Sequence, residues 1–211
     1  MTKIIEIPSV SEVAKIIDEL GELALLIEEH GIVRDRMQGT GVLTREEAHA
    51  LSLLGYVGRA SNFSCDVRRY FPYNRFEADF AEIIETSGDV MARFLVRRRE
   101  AQASLRLILQ YIDFIRSELD NGEGESRGVS IGRSGSAKAA SRIGVSLVEG
   151  WRGATCYFVE VDADDRIRSI KISDPSMNNW MALPPALHNA IVPDFPLINK
   201  SFNQSYAGND L

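Results

Sequence analysis

The stretch that decides the fold is GDVMARFLVRRREAQASLRLILQYIDFIRSEL, residues 88–119. Its apolar residues recur about every 3.5 positions, a spacing typical of a helix that is packed along its whole length. The residues that carry this spacing are Val90, Phe94, Ala101, Leu105, Ile108, Ile112 and Ile115. The pattern predicts one long central helix over residues 88–119.

The same stretch carries a run of arginines around Glu100, namely Arg93, Arg97, Arg98, Arg99 and Arg106. Such a run is typical of a solvated helix face with local ion pairs, which is the interpretation we favour. A stripe that binds an anion or docks another subunit is the alternative.

Two capping boxes predict helices upstream. Ser9 with Glu12 precedes an amphipathic run over residues 13–30, which Gly31 is expected to end. Thr44 with Glu47 opens a shorter helix that reaches about residue 54. The segment between the two helices, GIVRDRMQGTG, is rich in turn formers and is predicted to be non-helical.

The chain changes character after the long helix. Residues 120–141 are rich in Gly and Ser without periodicity, which predicts a loop. Three β-branched or aromatic runs follow, GVSLVEGWRG, ATCYFVEVD and RIRSIKISD, and they predict a three-stranded antiparallel meander with one apolar, buried face. A short helix is expected over residues 177–183, before Pro184 and Pro185 break it.

The predicted fold class is therefore α+β, mainly α, with one long central helix and a small antiparallel three-stranded sheet near the C-terminus. No repeat or linker divides the sequence, so residues 1–211 are expected to form a single domain. The formal net charge of -6 favours neither nucleic acid nor an anionic membrane as a partner. No run approaches the roughly 20 apolar residues of a membrane-spanning helix, so membrane association would come through partners.

Two segments could carry chemistry. RASNFSCDVRRYFPY, residues 59–73, places Arg59, Asp66, Arg68 and Arg69 near Tyr70, Phe71 and Tyr73. These side chains could form a charged cavity lining beside an aromatic wall, or Asp66 could simply pair with Arg59 or Arg69 and pin the segment to the long helix. In VEGWRG, residues 148–153, Glu149 and Arg152 flank a predicted turn and could equally be a structural ion pair.

Cysteines and histidines point to no metal site. Cys65 and Cys156 lie far apart and form no CxxC motif or Cys/His cluster. The three histidines are isolated from one another, and structural roles are expected for them. The predicted metal content is none, in a reduced cytosolic chain.

Four blocks together carry a family resemblance: GTGVLTREEAHALSLLGYVGRASNFSCDVRRYFPYNRF, SGDVMARFLVRRREAQASLRLI, VEGWRG and VPDFPLINKSF. In order and approximate spacing they resemble the large subunits of membrane-bound [NiFe] hydrogenases of the formate hydrogenlyase type. Those proteins are related to the large, quinone-site subunit of complex I, the NADH:quinone oxidoreductase. The resemblance covers the chain from about residue 12 onward and corresponds to the C-terminal part of the family's core.

The hydrogenases of this family end in a segment with a CxxC that, with a second CxxC from the N-terminal part, holds the nickel-iron centre. Laid on that pattern, Asp194, Pro196, Leu197 and Ser201 match, while the two cysteine positions fall on Ser205 and Gly208. Neither residue supplies the thiolate that the nickel requires. The resemblance thus implies lost nickel ligands, in a chain that is expected to be a fragment, a truncated product or half of a split subunit.

In the family, the segment that matches residues 193–211 runs into the buried centre of the large subunit, near the face that meets the iron-sulfur small subunit. The tail carries Phe195, Phe202 and Tyr206 and almost no charge, which suits burial. The terminal carboxylate of Leu211 would still need a partner or solvent.

The resemblance implies a large-subunit-like component of a membrane-associated oxidoreductase complex, hydrogenase-related or NADH:quinone-related, with a degenerate, nickel-free site and no activity as an isolated chain. A non-catalytic docking subunit for an iron-sulfur partner is the alternative. The chain would hold no cofactor itself; a [4Fe-4S] cluster is expected in the small subunit, with quinone as a candidate ligand of the complex. The expected partners are the iron-sulfur small subunit and membrane-arm subunits, which would hold the chain at the cytoplasmic side of the inner membrane.

The residues expected to line the remnant cavity are Arg59, Asp66, Arg68, Glu149, Arg152 and Asp194, with Ser205 beside them. The charged members would steer protons or pair with one another.

Overall fold

The computed structural model describes residues 9–71, 81–120 and 141–210. Its helices are α1 (Val10–Glu29), α2 (Gly31–Met37), α3 (Arg45–Ala50), α4 (Gly55–Ala60), α5 (Val67–Tyr70), α6 (Val90–Asp120), α7 (Pro175–Trp180), α8 (Leu183–Ala186), α9 (Phe195–Phe202) and α10 (Tyr206–Asn209). Its strands are β1 (Ser141–Gly150), β2 (Gly153–Asp162) and β3 (Ile167–Ser173). The predicted fold class, α+β with a long helix and a small sheet, is confirmed.

The long helix α6 has 31 residues, as its apolar spacing predicted. At about 1.5 Å per residue it is roughly 46 Å long. Helix α1 packs along it, with Glu28 paired to Arg98 and Gly21 beside Gln102, so the two helices run antiparallel. The predicted capping box starts α1, because Ser9 Oγ accepts from Glu12 N and the Glu12 carboxylate accepts from Ser9 N.

The residues after α1 differ from the prediction. Gly31 does not end a helix but begins α2, so the segment predicted to be turn-rich is largely helical. The physical reason lies at His30, whose Nδ1 accepts a hydrogen bond from Val33 N at 3.4 Å and so caps the new helix. The second predicted helix begins at Thr44 as expected but ends at Ala50, since Ser52 adopts a positive φ and the chain turns into α4.

Near the C-terminus, the prediction of a single helix over residues 177–183 is also wrong. Two short helices, α7 and α8, are present, and each carries proline in its first turn. Proline lacks a backbone N–H, which the first helical turn does not need, so it starts these helices rather than breaking one. The predicted loop over residues 120–141 lies outside the described residues except at its two ends, where residue 120 belongs to α6 and residue 141 to β1. Tyr73 also lies outside the described residues.

The three strands form the predicted antiparallel meander in the order β1-β2-β3. Its predicted buried face, however, is wrong for the described strands, since Ile143, Val145 and Ile170 are each more than half exposed. The helices that contact the sheet most are α4, α5 and α7, which have only four to six residues each. They are too short to cover a face of ten-residue strands.

The core forms where α4, α6 and α9 meet. Its larger fully buried members include Leu43, Leu53, Tyr56, Val57, Val96, Ile198 and Phe202. The C-terminal tail is therefore only partly buried as predicted: Ile198 and Phe202 are enclosed, whereas Phe195 and Tyr206 remain exposed. Within α9, Ile198 and Phe202 lie four residues apart and face inward, whereas Phe195 at its first position faces away.

Arg93 corrects the interpretation of the arginine run as a solvated face. Its side chain is fully buried and donates from Nη1 to Gly88 O, from Nη2 to Gly41 O and from Nε to Ser201 Oγ, at 2.8, 2.8 and 2.9 Å. The guanidinium also lies 4.5 Å from the centre of the Phe202 ring. Burial lowers the pKa of Arg93 to about 10.

Among the described residues, no helix combines the length and apolar composition that crossing a membrane requires.

Candidate functional site

Arg59 lies at the end of α4, a helix whose six residues are all buried. Its guanidinium meets three carboxylates from three different parts of the chain. Nε donates to Glu100 Oε1 at 2.5 Å, and Nη1 lies 3.3 Å from Glu149 Oε1 and 3.5 Å from Asp66 Oδ2. The side chains of Arg59, Asp66 and Glu149 are each at most 2% exposed.

Asp66 and Glu149 also hold the backbone around α5. Asp66 caps this helix by accepting from Arg68 N at 2.9 Å, and it binds the Arg68 side chain through both oxygens, at 3.0 and 2.7 Å. Glu149 accepts from Val67 N at 3.1 Å, which ties strand β1 to α5. We call the five residues Arg59, Asp66, Arg68, Glu100 and Glu149 the charged cluster.

The charged cluster contains three carboxylates and two guanidiniums, so it carries one formal negative charge in excess when all are ionised. Burial raises the pKa of Glu100 and of Glu149, against the opposing pull of Arg59. For Arg59, burial works to lower the pKa, but Glu100, Glu149 and Asp66 outweigh it and the pKa is raised. In the charged cluster, Arg59 therefore keeps its proton more strongly than an exposed arginine does. Glu100 and Glu149 accept protons more readily than exposed carboxylates do.

A cavity of about 600 Å³ opens beside the charged cluster. Four members of the cluster line its wall, namely Arg59, Arg68, Glu100 and Glu149. The rest of the lining comes from α1, α6 and the β1–β2 turn: Leu20, Leu23, Ala24, Ile27, Phe94, Arg97, Arg98, Ala101, Ser104, Gly150 and Trp151. A volume of this size, apolar walls and a few convergent polar groups are typical of ligand sites.

An aromatic pair lies at one end of the cavity. The rings of Tyr56 and Trp151 stack at 5.5 Å with 8° between their planes. The Arg97 guanidinium lies 5.0 Å from the Trp151 ring centre and 5.4 Å from that of Tyr56. Burial raises the pKa of Tyr56 to about 12. Its hydroxyl therefore stays protonated and donates to the carbonyl of Phe202.

The structure brings together four of the six residues that were expected to line one cavity and separates the other two. Arg152 donates from Nε to Asn203 O at 2.7 Å, and its guanidinium lies 4.3 Å from the centre of the Trp151 ring. Asp194 pairs with Arg36 at 3.1 Å in a second cleft, of about 300 Å³. Neither Arg152 nor Asp194 belongs to the lining of the 600 Å³ cavity.

Glu100, Arg97 and Trp151 belong to the site although the sequence did not single them out for it. The cavity-lining residues of α6 recur every three or four positions, and this spacing in the sequence indicates that they share one face of the helix. They are Phe94, Arg97, Ala101 and Ser104. The spacing alone does not show whether that face of α6 borders a cavity, packs in the core or faces solvent.

A family model described as the respiratory-chain NADH dehydrogenase, 49 Kd subunit, matches residues 7–132. The chain belongs to this family. The match confirms the resemblance to the large, quinone-site subunit of complex I over these residues.

Relatives of this 49 kDa-family chain come from several oxidoreductases. One subunit of the F(420)H(2) dehydrogenase of Methanosarcina mazei is 31% identical over 199 residues, which cover 93% of this chain and 51% of that protein. A carbon monoxide-induced hydrogenase of Rhodospirillum rubrum is 30% identical over 183 residues, covering 86% and 48%. The chain spans about half the length of these curated relatives.

One solved relative is a chain of the membrane-bound sulfane sulfur reductase, an archaeal respiratory membrane complex. It matches with a TM-score of 0.79 and 25% identity, over 95% of this chain and 54% of that chain. Because the likeness covers 95% of the chain, it extends beyond the residues that the 49 kDa family model matches.

In this 49 kDa-family chain, the two positions that were expected, from the hydrogenase resemblance, to replace nickel-binding cysteines take part in helix capping. Ser205 Oγ accepts from Gly208 N at 2.9 Å and so caps α10, while Ser205 N donates to Ser176 Oγ at 3.1 Å. A Cβ at Gly208 would lie 2.5 Å from Asp174 Cγ, a carboxylate that itself caps α7. A side chain at residue 208 would have to displace the Asp174 carboxylate, and neither serine nor glycine supplies a thiolate, so these residues do not fit a nickel site.

The rest of the described chain offers no substitute ligands. Among residues 9–71, 81–120 and 141–210, no group of three or more His, Cys, Asp or Glu side chains is placed to hold a metal ion. Cys65 and Cys156 are free, half-buried thiols, and burial raises the pKa of Cys65. A raised thiol pKa disfavours the thiolate that a metal would bind.

The close contact at residue 208 gives a stability prediction. We expect Gly208→Cys to lower the free energy of unfolding by about 1–3 kcal/mol, because the new side chain displaces the Asp174 carboxylate. Ala207→Cys, at an exposed neighbouring position, serves as the matched control and should be neutral within about 0.5 kcal/mol. Urea unfolding measures both. Equal effects of the two substitutions would contradict the crowding at Asp174.

Proposed function

We propose that this chain is the large-subunit-like component of a membrane-associated oxidoreductase complex, and that it works without nickel. Family membership and relatives of this kind support the assignment. The observation that carries the proposal is the charged cluster, in which buried carboxylates line a cavity beside aromatic rings. A redox subunit that has lost its metal ligands retains use for such a cluster, since electron transfer to an organic acceptor needs matching protons.

In this function the charged cluster holds and passes protons at the cavity wall. Glu149 and Glu100 are the proton-carrying groups, because burial raises the pKa of each. Arg59 holds both carboxylates in place and limits how far their pKa values rise. The electrons come from a [4Fe-4S] partner subunit, and a quinone is the acceptor class that the complex would reduce, with two electrons and two protons per quinol.

The test is made on the assembled complex with Glu149→Gln. We expect at least a 10-fold loss of electron transfer from a reduced viologen dye to a short-chain quinone, because glutamine fills the same space but carries no exchangeable acid proton. A carboxylic acid donates only while protonated, so wild-type activity should fall as pH rises through the raised Glu149 pKa, and this limb should disappear in the variant. Glu160→Gln, on the same sheet but outside the charged cluster, is the control.

The second candidate is a non-catalytic docking subunit for an iron-sulfur partner. Capping at Ser205 and crowding at Gly208 favour it, because they turn former ligand positions into structural ones. A Glu149→Gln complex that assembles fully and turns over at the wild-type rate, with an unchanged pH profile, would support the docking subunit and refute proton transfer by the charged cluster.

A further inference from the structure

Helices α1 and α6 form a groove that no described element fills. One wall is made by Leu20, Leu23 and Ile27 of α1, and the other by Phe94 and Ala101 of α6. The α1 residues are spaced three and four apart, and the two α6 residues are seven apart, which is two helical turns. These are the spacings of the side-chain ridges on a helix surface. A groove between two antiparallel helices with ridges of this spacing has the shape into which a third helix packs.

The apolar stripe on α1 is exposed along its length. Ile16, Leu20, Leu23 and Ile27 are 47%, 40%, 60% and 38% exposed, in a spacing of four, three and four residues. Val13 and Ala24, on the adjacent stripe, are buried. Helix α1 thus uses one stripe to pack within the chain and presents a second, contiguous one. Isolated exposed leucines are ordinary, but a contiguous stripe marks an interaction surface.

Arg97 supplies the charge that such a partner must match. In the part of the chain that the structure describes, Arg59, Arg68, Arg98 and Arg99 each pair with a carboxylate, whereas Arg97 has ring contacts alone. Its guanidinium lines the groove, and its N–H groups are available to donate hydrogen bonds to a bound partner. An acidic side chain that enters the groove would pair with it in a partly desolvated setting, where such pairs are stronger than at an open surface.

We propose that this groove seats an amphipathic α-helix of a partner subunit. The helix carries large aliphatic residues at spacings of three and four, and one Asp or Glu that meets Arg97. The α1 stripe from residue 16 to 27 is roughly 16 Å long at about 1.5 Å per residue, so it accommodates about three helical turns. The proposal concerns assembly and stands whether or not the charged cluster transfers protons.

A second copy of this chain is disfavoured by charge, because each copy carries a formal net charge of -6 and two copies repel each other. Outside its apolar stripe, α1 contributes to this charge with Asp18, Glu19, Glu22 and Glu29 against Lys15. An anionic lipid surface is disfavoured by the same charges.

The probes are two synthetic 21-residue amphipathic peptides with identical leucine stripes that differ at one position, Glu or Gln, placed to face Arg97. Binding to the full chain is followed by calorimetry. We expect the Glu peptide to bind about 10-fold more tightly than the Gln peptide, as one charge-assisted pair provides. In Arg97→Gln this preference should vanish, which makes the four affinities a double-mutant cycle.

The apolar half of the groove is tested with Leu23→Ser, which should weaken both peptides at least 10-fold. Ile32→Ser is the matched control, because Ile32 is 74% exposed on α2, outside the groove, and its substitution should change neither affinity. Three results would overturn the proposal: no binding of either peptide, a wild-type dimer that Leu23→Ser converts to a monomer, or vesicle binding of the chain that Leu23→Ser abolishes. The second would assign the groove to another copy and the third to lipid.

Discussion

Arg59→Ala should lower the free energy of unfolding by about 3–5 kcal/mol at pH 8, because it leaves buried carboxylates without their shared cation. Glu100, Glu149 and Asp66 all face the Arg59 guanidinium, and the latter two are almost completely enclosed. Arg68 remains on Asp66 in the variant, so the loss falls mainly on Glu100 and Glu149. Urea unfolding monitored by far-UV circular dichroism measures the change.

The loss should depend on pH in a defined direction. Burial raises the pKa of Glu100 and Glu149, so between the ordinary and the raised value the folded state binds more protons than the unfolded one, and stability falls as pH rises. Removing the opposing Arg59 charge raises both pKa values further. The deficit of the variant should therefore be smaller at pH 5 than at pH 8. A deficit that grows on acidification would contradict this account.

The matched control is Arg168→Ala. Arg168 pairs with Glu160 at 3.2 Å on the surface of the sheet, and its side chain is 68% exposed. Exposed ion pairs contribute about 0–1 kcal/mol, so this substitution should be nearly neutral at both pH values. Similar losses for the two arginines would show that burial of the charged cluster is not what makes Arg59 important.

Gly55→Ala is expected to be the other severe substitution, with a loss of about 3–5 kcal/mol. Gly55 has a φ of 61°, and a Cβ there would lie 2.2 Å from Arg152 O. The residue therefore combines a backbone conformation that alanine resists with a backbone contact that cannot give way. Asn179 fixes the same junction, since its side chain bonds Leu54 N, Leu54 O and Arg152 O at 2.9, 3.1 and 3.2 Å.

Gly144→Ala tests whether that effect is specific to the junction. Gly144 lies in β1, has no neighbour within 4 Å of its Cβ position and needs no left-handed backbone, so the substitution should change stability by less than about 0.5 kcal/mol. We expect Gly55→Ala also to separate the sheet from α4, which raises amide hydrogen exchange in β1 and β2. Unchanged exchange in these strands would contradict the conclusion that close contact at Gly55 holds the β1–β2 turn against α4.

Much of the fold could be predicted from local patterns. The apolar spacing of α6, the capping boxes at Ser9 and Thr44 and the alternation of the strands report on each residue's own neighbours, and these predictions hold. The buried sheet face and the solvated position of Arg93 were wrong because they depend on which surfaces are covered by distant parts of the chain. Arg93 is the clearest case, since its partners at Gly41 and Ser201 lie 52 and 108 residues away.

The same limit applies to the site. Arg59, Asp66, Arg68 and Glu149 could be selected because they combine charge with aromatic or glycine neighbours, and the structure does bring them together. Glu100 escaped selection as a site residue because nothing near it in sequence shows that it reaches α4, 41 residues away. Asp194 was selected from a motif and lies in another cleft, because family motifs report shared positions and do not say which cavity each position faces.

The guanidinium of Arg93 joins residues 41, 88 and 201, which has a consequence for biosynthesis. The acceptor at Ser201 and the ring of Phe202 leave the ribosome more than 100 residues after Arg93, which corresponds to roughly 5–20 seconds of translation. During that interval α4 and α6 must wait with an uncovered apolar surface and an arginine that lacks its final acceptor. The nascent chain should therefore engage a holding chaperone until α9 emerges and closes this core.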